Sequence, residues 1–117
     1  MLALLRERAQ CTSGVVTYDV ADQKLTAVSK FVPYYLFPDA HYVVGVSLLP
    51  GRAKISVGSN PWRSERRTAN IASLCGRYGG GGHPAVGAVS LASEDLPRLR
   101  EIAAEITAEL RAAALTE

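Results

Sequence analysis

No stretch of this 117-residue sequence is apolar over the roughly 20 residues that a bilayer-spanning helix needs, which leaves nothing to suggest a membrane span. The opening MLALLRERAQ carries an acidic residue and lacks a cleavable small-residue site, so it does not read as a secretory signal, and a soluble cytoplasmic protein is the expectation. Cysteine is scarce. Cys11 and Cys75 lie far apart with no Cys-x-x-Cys spacing, which excludes a zinc-finger or disulfide framework. Histidine is limited to His41 and His83, and the aspartates Asp19, Asp22, Asp39 and Asp95 are scattered. A two-metal centre needs several carboxylates and imidazoles converging within about 4 Å of paired cations, and these residues show no paired-ligand spacing. No serine or cysteine has an evident base and orienting partner either. No catalytic residue and no metal ligand is therefore expected in this chain, and His41, at the start of a predicted strand, reads as structural or exposed.

What is present describes a globular domain: 48% apolar and 21% charged residues, with no internal repeat or low-complexity linker. A chain of this length has room for one domain and one core, burying roughly two-thirds of its unfolded surface. The net charge is only +2, but its distribution is uneven. From Arg52 to Arg77 there are six cations (Arg52, Lys54, Arg63, Arg66, Arg67, Arg77) against the single acid Glu65, whereas acids outnumber bases from Glu94 onward. An anionic partner should meet the middle of the chain.

The apolar spacing of Leu2, Leu5 and Ala9 predicts a short N-terminal helix, and residues 1–12 are set apart as a helix or linker remnant ahead of a domain over 13–117. GVVTYDV and LTAVS, around the turn Asp22-Gln23-Lys24, read as a hairpin. FVPYYLFPDA, with two prolines, reads as a packed connector rather than a regular helix, with Phe31, Tyr35 and Phe37 largely buried. HYVVGVSLL and RAKISVGS flank Pro50-Gly51, a pair suited to a type II turn. In the second of these strands Ala53, Ile55 and Val57 alternate with Arg52, Lys54 and Ser56, so one face is buried and the other displays cations. A helix from about Glu65 to Tyr78, capped by Ser64, would bury Ile71, Leu74, Cys75 and Tyr78. AVGAVSLA supplies a further strand, and a last helix from Glu94 to about Ala114 buries Leu99, Ile102, Ala103, Ile106 and Leu110. The fold class is α/β (α+β), a mixed sheet of about five strands flanked by helices.

The most informative segment is RYGGGGHPAVGAV, residues 77 to 89. Successive glycines allow backbone conformations closed to other residues and let a ligand approach bare amides, the way anion-cradling nests are built. His83 adds a donor. The loop follows a helix and precedes a strand, the reverse of the order a P-loop or dinucleotide fingerprint requires. A helix C-cap followed by a plain turn would use the same residues.

KISVGSNPW, NIASLCGRY and GGGGHPAVGAV together resemble the C-terminal, substrate-binding domain of the DHH phosphoesterase superfamily, the DHH-associated domain of type 1, over roughly residues 13 to 92. The resemblance implies a small mixed sheet flanked by helices, joined to an N-terminal DHH catalytic domain that would hold two divalent metals, manganese or magnesium. It assigns Gly80, Gly81, Gly82 and His83 to a loop that grips a phosphate or terminal nucleotide of the substrate, which in that family ranges from short single-stranded nucleic acid and cyclic dinucleotides to pyrophosphate-like compounds. Two departures stand out. Where relatives commonly continue Ala-Ala-Gly this chain has Val86-Gly87-Ala88, and where nucleic-acid-binding relatives carry an arginine between two serines it has Gly58. Asn60, Arg63 or Lys54 would then take over phosphate contact, unless Asn60-Pro61 is a plain turn. The function expected is binding of a phosphate-bearing ligand within a metal-dependent phosphoesterase. The alternative is a structural or homodimerising domain with no ligand of its own.

Overall fold

The computed structural model describes residues 2–22, 32–62 and 67–117. In order they form α1 (Leu2–Arg8), β1 (Gln10–Thr12), β2 (Val15–Asp19), α2 (Val32–Leu36), β3 (Tyr42–Leu49), β4 (Arg52–Ser59), α3 (Ile71–Gly76), β5 (Gly81–Gly82), β6 (Val86–Ala92), a 3-10 turn over Ser93–Asp95, and α4 (Leu96–Ala114). The strands make one six-stranded sheet in the order β1-β2-β3-β4-β6-β5. Only β2 and β3 run parallel; the remaining pairs are antiparallel. The sheet is mixed, as expected, with one strand more than the sequence suggested.

The two faces of the sheet are covered unequally. On one, Val44, Val46, Ala53, Ile55, Val57 and Val89 pack beneath α3 and α4 in a single cluster. The apolar stripe of α4 is the one its periodicity predicts, with Leu99, Ile102, Ala103, Ile106 and Leu110 buried. Pro97 near its start fits the first turn, where no amide partner is lost. On the other face Leu5 and Ala9 from the α1 end and Tyr34 from α2 close over Val16, Tyr18 and Val43, which covers the β2 and β3 side of the sheet. The outward face of β4 lies beyond that cluster. Its burial alternates along the whole strand, with Lys54, Ser56 and Gly58 only partly covered.

Several expectations are corrected. Gln10–Thr12, all exposed, form a strand that pairs with β2 through a turn at Ser13 and Gly14, both at positive φ (51° and 79°). The proposed hairpin partner, residues 25–29, lies outside the described residues, as do Phe31, Arg63, Ser64 and Arg66. The connector contains one helical turn, α2, and its phase buries Tyr34 at 4% exposure while leaving Tyr35 at 71%. Residues 67–70 are not helical. α3 begins at Ile71, because Asn70 caps it by accepting the Ser73 amide at 3.1 Å.

The last residue is anchored in the body of the fold. The Glu117 carboxylate, 2% exposed, accepts from His41 Nδ1 at 3.0 Å, from the Tyr42 hydroxyl, and from the Thr68 amide and hydroxyl at 3.1 and 2.8 Å. Burial pushes this carboxyl up, but the hydrogen bonds from Tyr42, His41 and Thr68 outweigh it and hold it below the usual carboxylate range. Its stabilisation is present above the unfolded value of about 4.3 and lost as pH falls through the lower folded value. Glu117→Gln should cost about 1–3 kcal/mol in urea denaturation at pH 7. The gap between variant and wild type should narrow as pH falls below the unfolded carboxyl's value of about 4.3 and through the lower folded one.

Candidate functional site

The glycine run is built from three local structures. α3 ends in a Schellman arrangement: Gly79 at φ 84° donates to Gly76 O at 3.2 Å, and Gly80 donates to Cys75 O at 3.0 Å. Gly81–Gly82 then form β5, an edge strand, paired with Gly87 and Ala88 of β6. A tight turn through Pro84 and Ala85 closes the hairpin, with His83 and Val86 exchanging both backbone bonds at 2.7 and 3.3 Å. Because those two residues form a hydrogen-bonded pair, the neighbouring Gly82–Gly87 pair is of the open kind, and the Gly82 amide points away from β6.

This corrects the expectation of a cradle of consecutive bare amides. Gly80 and His83 spend their amides on the protein's own carbonyls. Glycine is needed here for close backbone packing. A Cβ at position 80 would lie 2.1 Å from the Ala88 carbonyl oxygen, and one at 82, where φ is 146°, would lie 2.3 Å from that of Val86. At Gly81 nothing stands within 4 Å. The His83 side chain is exposed at the end of the hairpin. Gly87 of the departing Val86-Gly87-Ala88 sequence is also tightly enclosed, since a Cβ there would meet Gly81 O at 2.8 Å and Cys75 Sγ at 3.0 Å.

The Asn60 side chain is engaged within the protein. It is 1% exposed, its Nδ2 donates to the Pro38 and Ala40 carbonyls at 3.1 and 2.8 Å, and its Oδ1 accepts from the Trp62 amide at 3.0 Å. The turn reading of Asn60-Pro61 is therefore the one observed. Arg77 of the basic zone pairs with Glu109 on α4. Lys54 takes part in none of the ion pairs among the described residues.

A cavity of about 610 Å³ lies on the sheet face away from α4. β4 contributes Lys54, Ser56 and Gly58 to it, β6 contributes Val86 and Ala88, and Tyr34 comes from α2. Ala85 and Val86, which line it, belong to the same hairpin as His83. Two tyrosines reach over sheet glycines here. A Cβ at Gly45 would lie 2.0 Å from the Tyr18 ring, and one at Gly58 would lie 3.1 Å from the Tyr34 hydroxyl. Burial pushes the Tyr18 phenol up to about 12 and raises that of Tyr34 further. The sequence signals for Lys54 and Ser56 were legible in the alternation of β4. Tyr34 was missed, because only the phase of α2 selects it over Tyr35. Among the described residues no three His, Cys, Asp or Glu side chains are grouped to hold a metal ion, so the residues present do not fit a metal centre.

The fold and site define an α+β domain with a half-covered mixed sheet and a cavity beside a glycine-histidine hairpin. No family model and no curated protein matches the chain. Solved structures do. Over 91% of this chain the fold superposes with a TM-score of 0.71 and 24% identity on the pGpG-specific phosphodiesterase PggH from Vibrio cholerae. An uncharacterized protein from Helicobacter pylori G27 (TM-score 0.48, 14% identity over 92% of the chain) and the DHH domain of a member of the s1p family of ribosomal proteins (0.48, 15% over 89%) are more distant. The chain spans 37%, 30% and 28% of those three proteins respectively. The fold implied by the resemblance to DHH-associated domains is the fold observed, and it is shared with part of a phosphodiesterase.

Substitution separates packing glycines from the open one. Gly80→Ala and Gly82→Ala should each lower stability by roughly 1–3 kcal/mol, and Gly81→Ala should change it by less than about 0.5 kcal/mol, read by chemical denaturation.

Proposed function

We propose that this chain is the ligand-binding domain of a DHH-type metal-dependent phosphoesterase, holding a phosphate-bearing substrate for a catalytic domain that supplies the manganese or magnesium centre. The observation that carries this reading is a cavity holding Lys54, which is in no ion pair among the described residues, walled by Ala85 and Val86 of the hairpin that also bears the exposed His83 imidazole and the outward Gly82 amide. An imidazole, an ammonium and a free amide are the donors that an oxyanion accepts from. The apolar walls around Lys54 strengthen its contact by excluding water. The shared fold with a pGpG-specific phosphodiesterase supports a phosphodiester ligand class. The chain's own residues bind and orient. Among the described residues no three His, Cys, Asp or Glu side chains are grouped for a metal, and this reading assigns hydrolysis to the partner domain.

Binding of inorganic pyrophosphate, followed by calorimetry, should weaken with rising salt, and His83→Ala should reduce affinity by about three- to tenfold. Salt-insensitive binding, or a silent His83→Ala, would contradict the assignment.

A further inference from the structure

The inward stripe of α4 packs into the core, and its outward face presents an apolar strip between two lines of charge. Ala104, Ala108 and Ala112 recur there one turn apart and are exposed, and Leu115, just past the helix end, continues the strip at 78% exposure. On the side toward α3 run Glu101, Glu105 and Glu109, also one turn apart, with Glu109 reaching Arg77. On the side toward β2 stand Arg100 and Arg111, about three turns apart, with Arg100 reaching Asp19.

Arg111 is the member of these lines that the fold leaves unanswered. It takes part in none of the ion pairs among the described residues, and its Nε is buried without a hydrogen-bond partner. With Arg8 and Arg100 it lines a groove of about 460 Å³ between α4 and β2. A half-buried guanidinium left unpaired is costly, and an acid arriving from outside would relieve it. The opposite edge of the helix carries the complementary imbalance: three carboxylates share two arginines, Glu101 and Glu105 with Arg98, and Glu109 with Arg77.

One surface with an acidic edge, an apolar centre and a basic edge is complementary to itself. We propose that the outward face of α4 is the docking surface for a second copy of this chain, in a two-fold dimer whose α4 helices run parallel. A two-fold axis along the helices lays the acidic edge of each against the basic edge of the other, and Glu105 then meets the partner's Arg111. An antiparallel pair would set acid against acid and arginine against arginine, which like-charge repulsion opposes. The alanines let the helix axes approach to about 8 Å, and Leu115 of each copy is covered. A helix of 19 residues is about 28 Å long and 10 Å wide, a contact well under the roughly 800 Å² per partner of a standard interface, so the dimer dissociates readily. The cavity lined by Lys54 lies on the other face of the sheet and stays open in such a dimer.

Sedimentation of the 117-residue chain between about 5 and 500 µM tests the proposal, with thermal unfolding of every variant as the check on folding. The average mass should rise from one chain toward two across that range. Arg111→Glu and Glu105→Arg should each weaken association at least about tenfold, and the two together should restore it to within about threefold of wild type. Ala108→Glu, at an exposed position, should abolish association while leaving thermal stability unchanged. In a Cys11→Ser background Leu115→Cys should cross-link to its own copy under mild oxidant, since only parallel helices bring the two 115 positions within disulfide reach. A monomer throughout the range, association that Ala108→Glu or the single charge reversals leave unchanged, or a double reversal that fails to restore it overturns the proposal.

Discussion

The seating of two tyrosines over two sheet glycines shapes everything on the side of the molecule away from α4. Register places Gly45 opposite Ser56 and Gly58 opposite Val43, so both glycines lie on the face that α3 and α4 do not cover. Any larger residue at 45 would collide with the Tyr18 ring, and one at 58 would press on the Tyr34 hydroxyl. The rings thereby come down close to the backbone, roof the β2 and β3 half with α1 and α2, and stop there. Past Tyr34 the roof formed by the described residues of α1 and α2 does not extend over the outward face of β4 and β6, and the cavity lies there.

The opposite face is packed beneath α3 and α4, and this asymmetry separates stability from function. α4 buries a full apolar stripe, and its outer positions form ion pairs with other elements, Glu109 with Arg77 and Arg100 with Asp19 of β2. Exposed pairs of this kind contribute little individually, about 0–1 kcal/mol. Their consequence is for the charge pattern, since they remove Arg77 and Arg100 from the pool of cations available to a ligand. Lys54 remains, on the open face. Among the described residues, Lys54 is the cation that lines the cavity.

Much of this was readable in the sequence where one physical signal acts alone. The alternation of Ala53, Ile55 and Val57 with Arg52, Lys54 and Ser56 gave the inner and outer faces of β4, and the helical spacing from Leu99 to Leu110 gave the buried stripe of α4. The sequence failed where two roles share one residue type. Four glycines in succession suit an anion nest, a Schellman cap and a closely packed edge strand equally, and only the Ala88 and Val86 carbonyls at positions 80 and 82 decide among them. Asn60 likewise suits a phosphate contact or a buried turn, and the Pro38 and Ala40 carbonyls claim it. Tyr34 and Tyr35 are indistinguishable until a single helical turn sets their phase.

The central claim is that anionic ligands enter on the open face of β4. Backbone amide shifts in a two-dimensional NMR titration with pyrophosphate test it most directly. The account predicts that the perturbed amides cluster at Lys54, Ser56, Gly58, His83 and Val86 to Ala88. Perturbations centred instead on the groove between α4 and β2, at Arg100, Thr107 and Arg111, would contradict it.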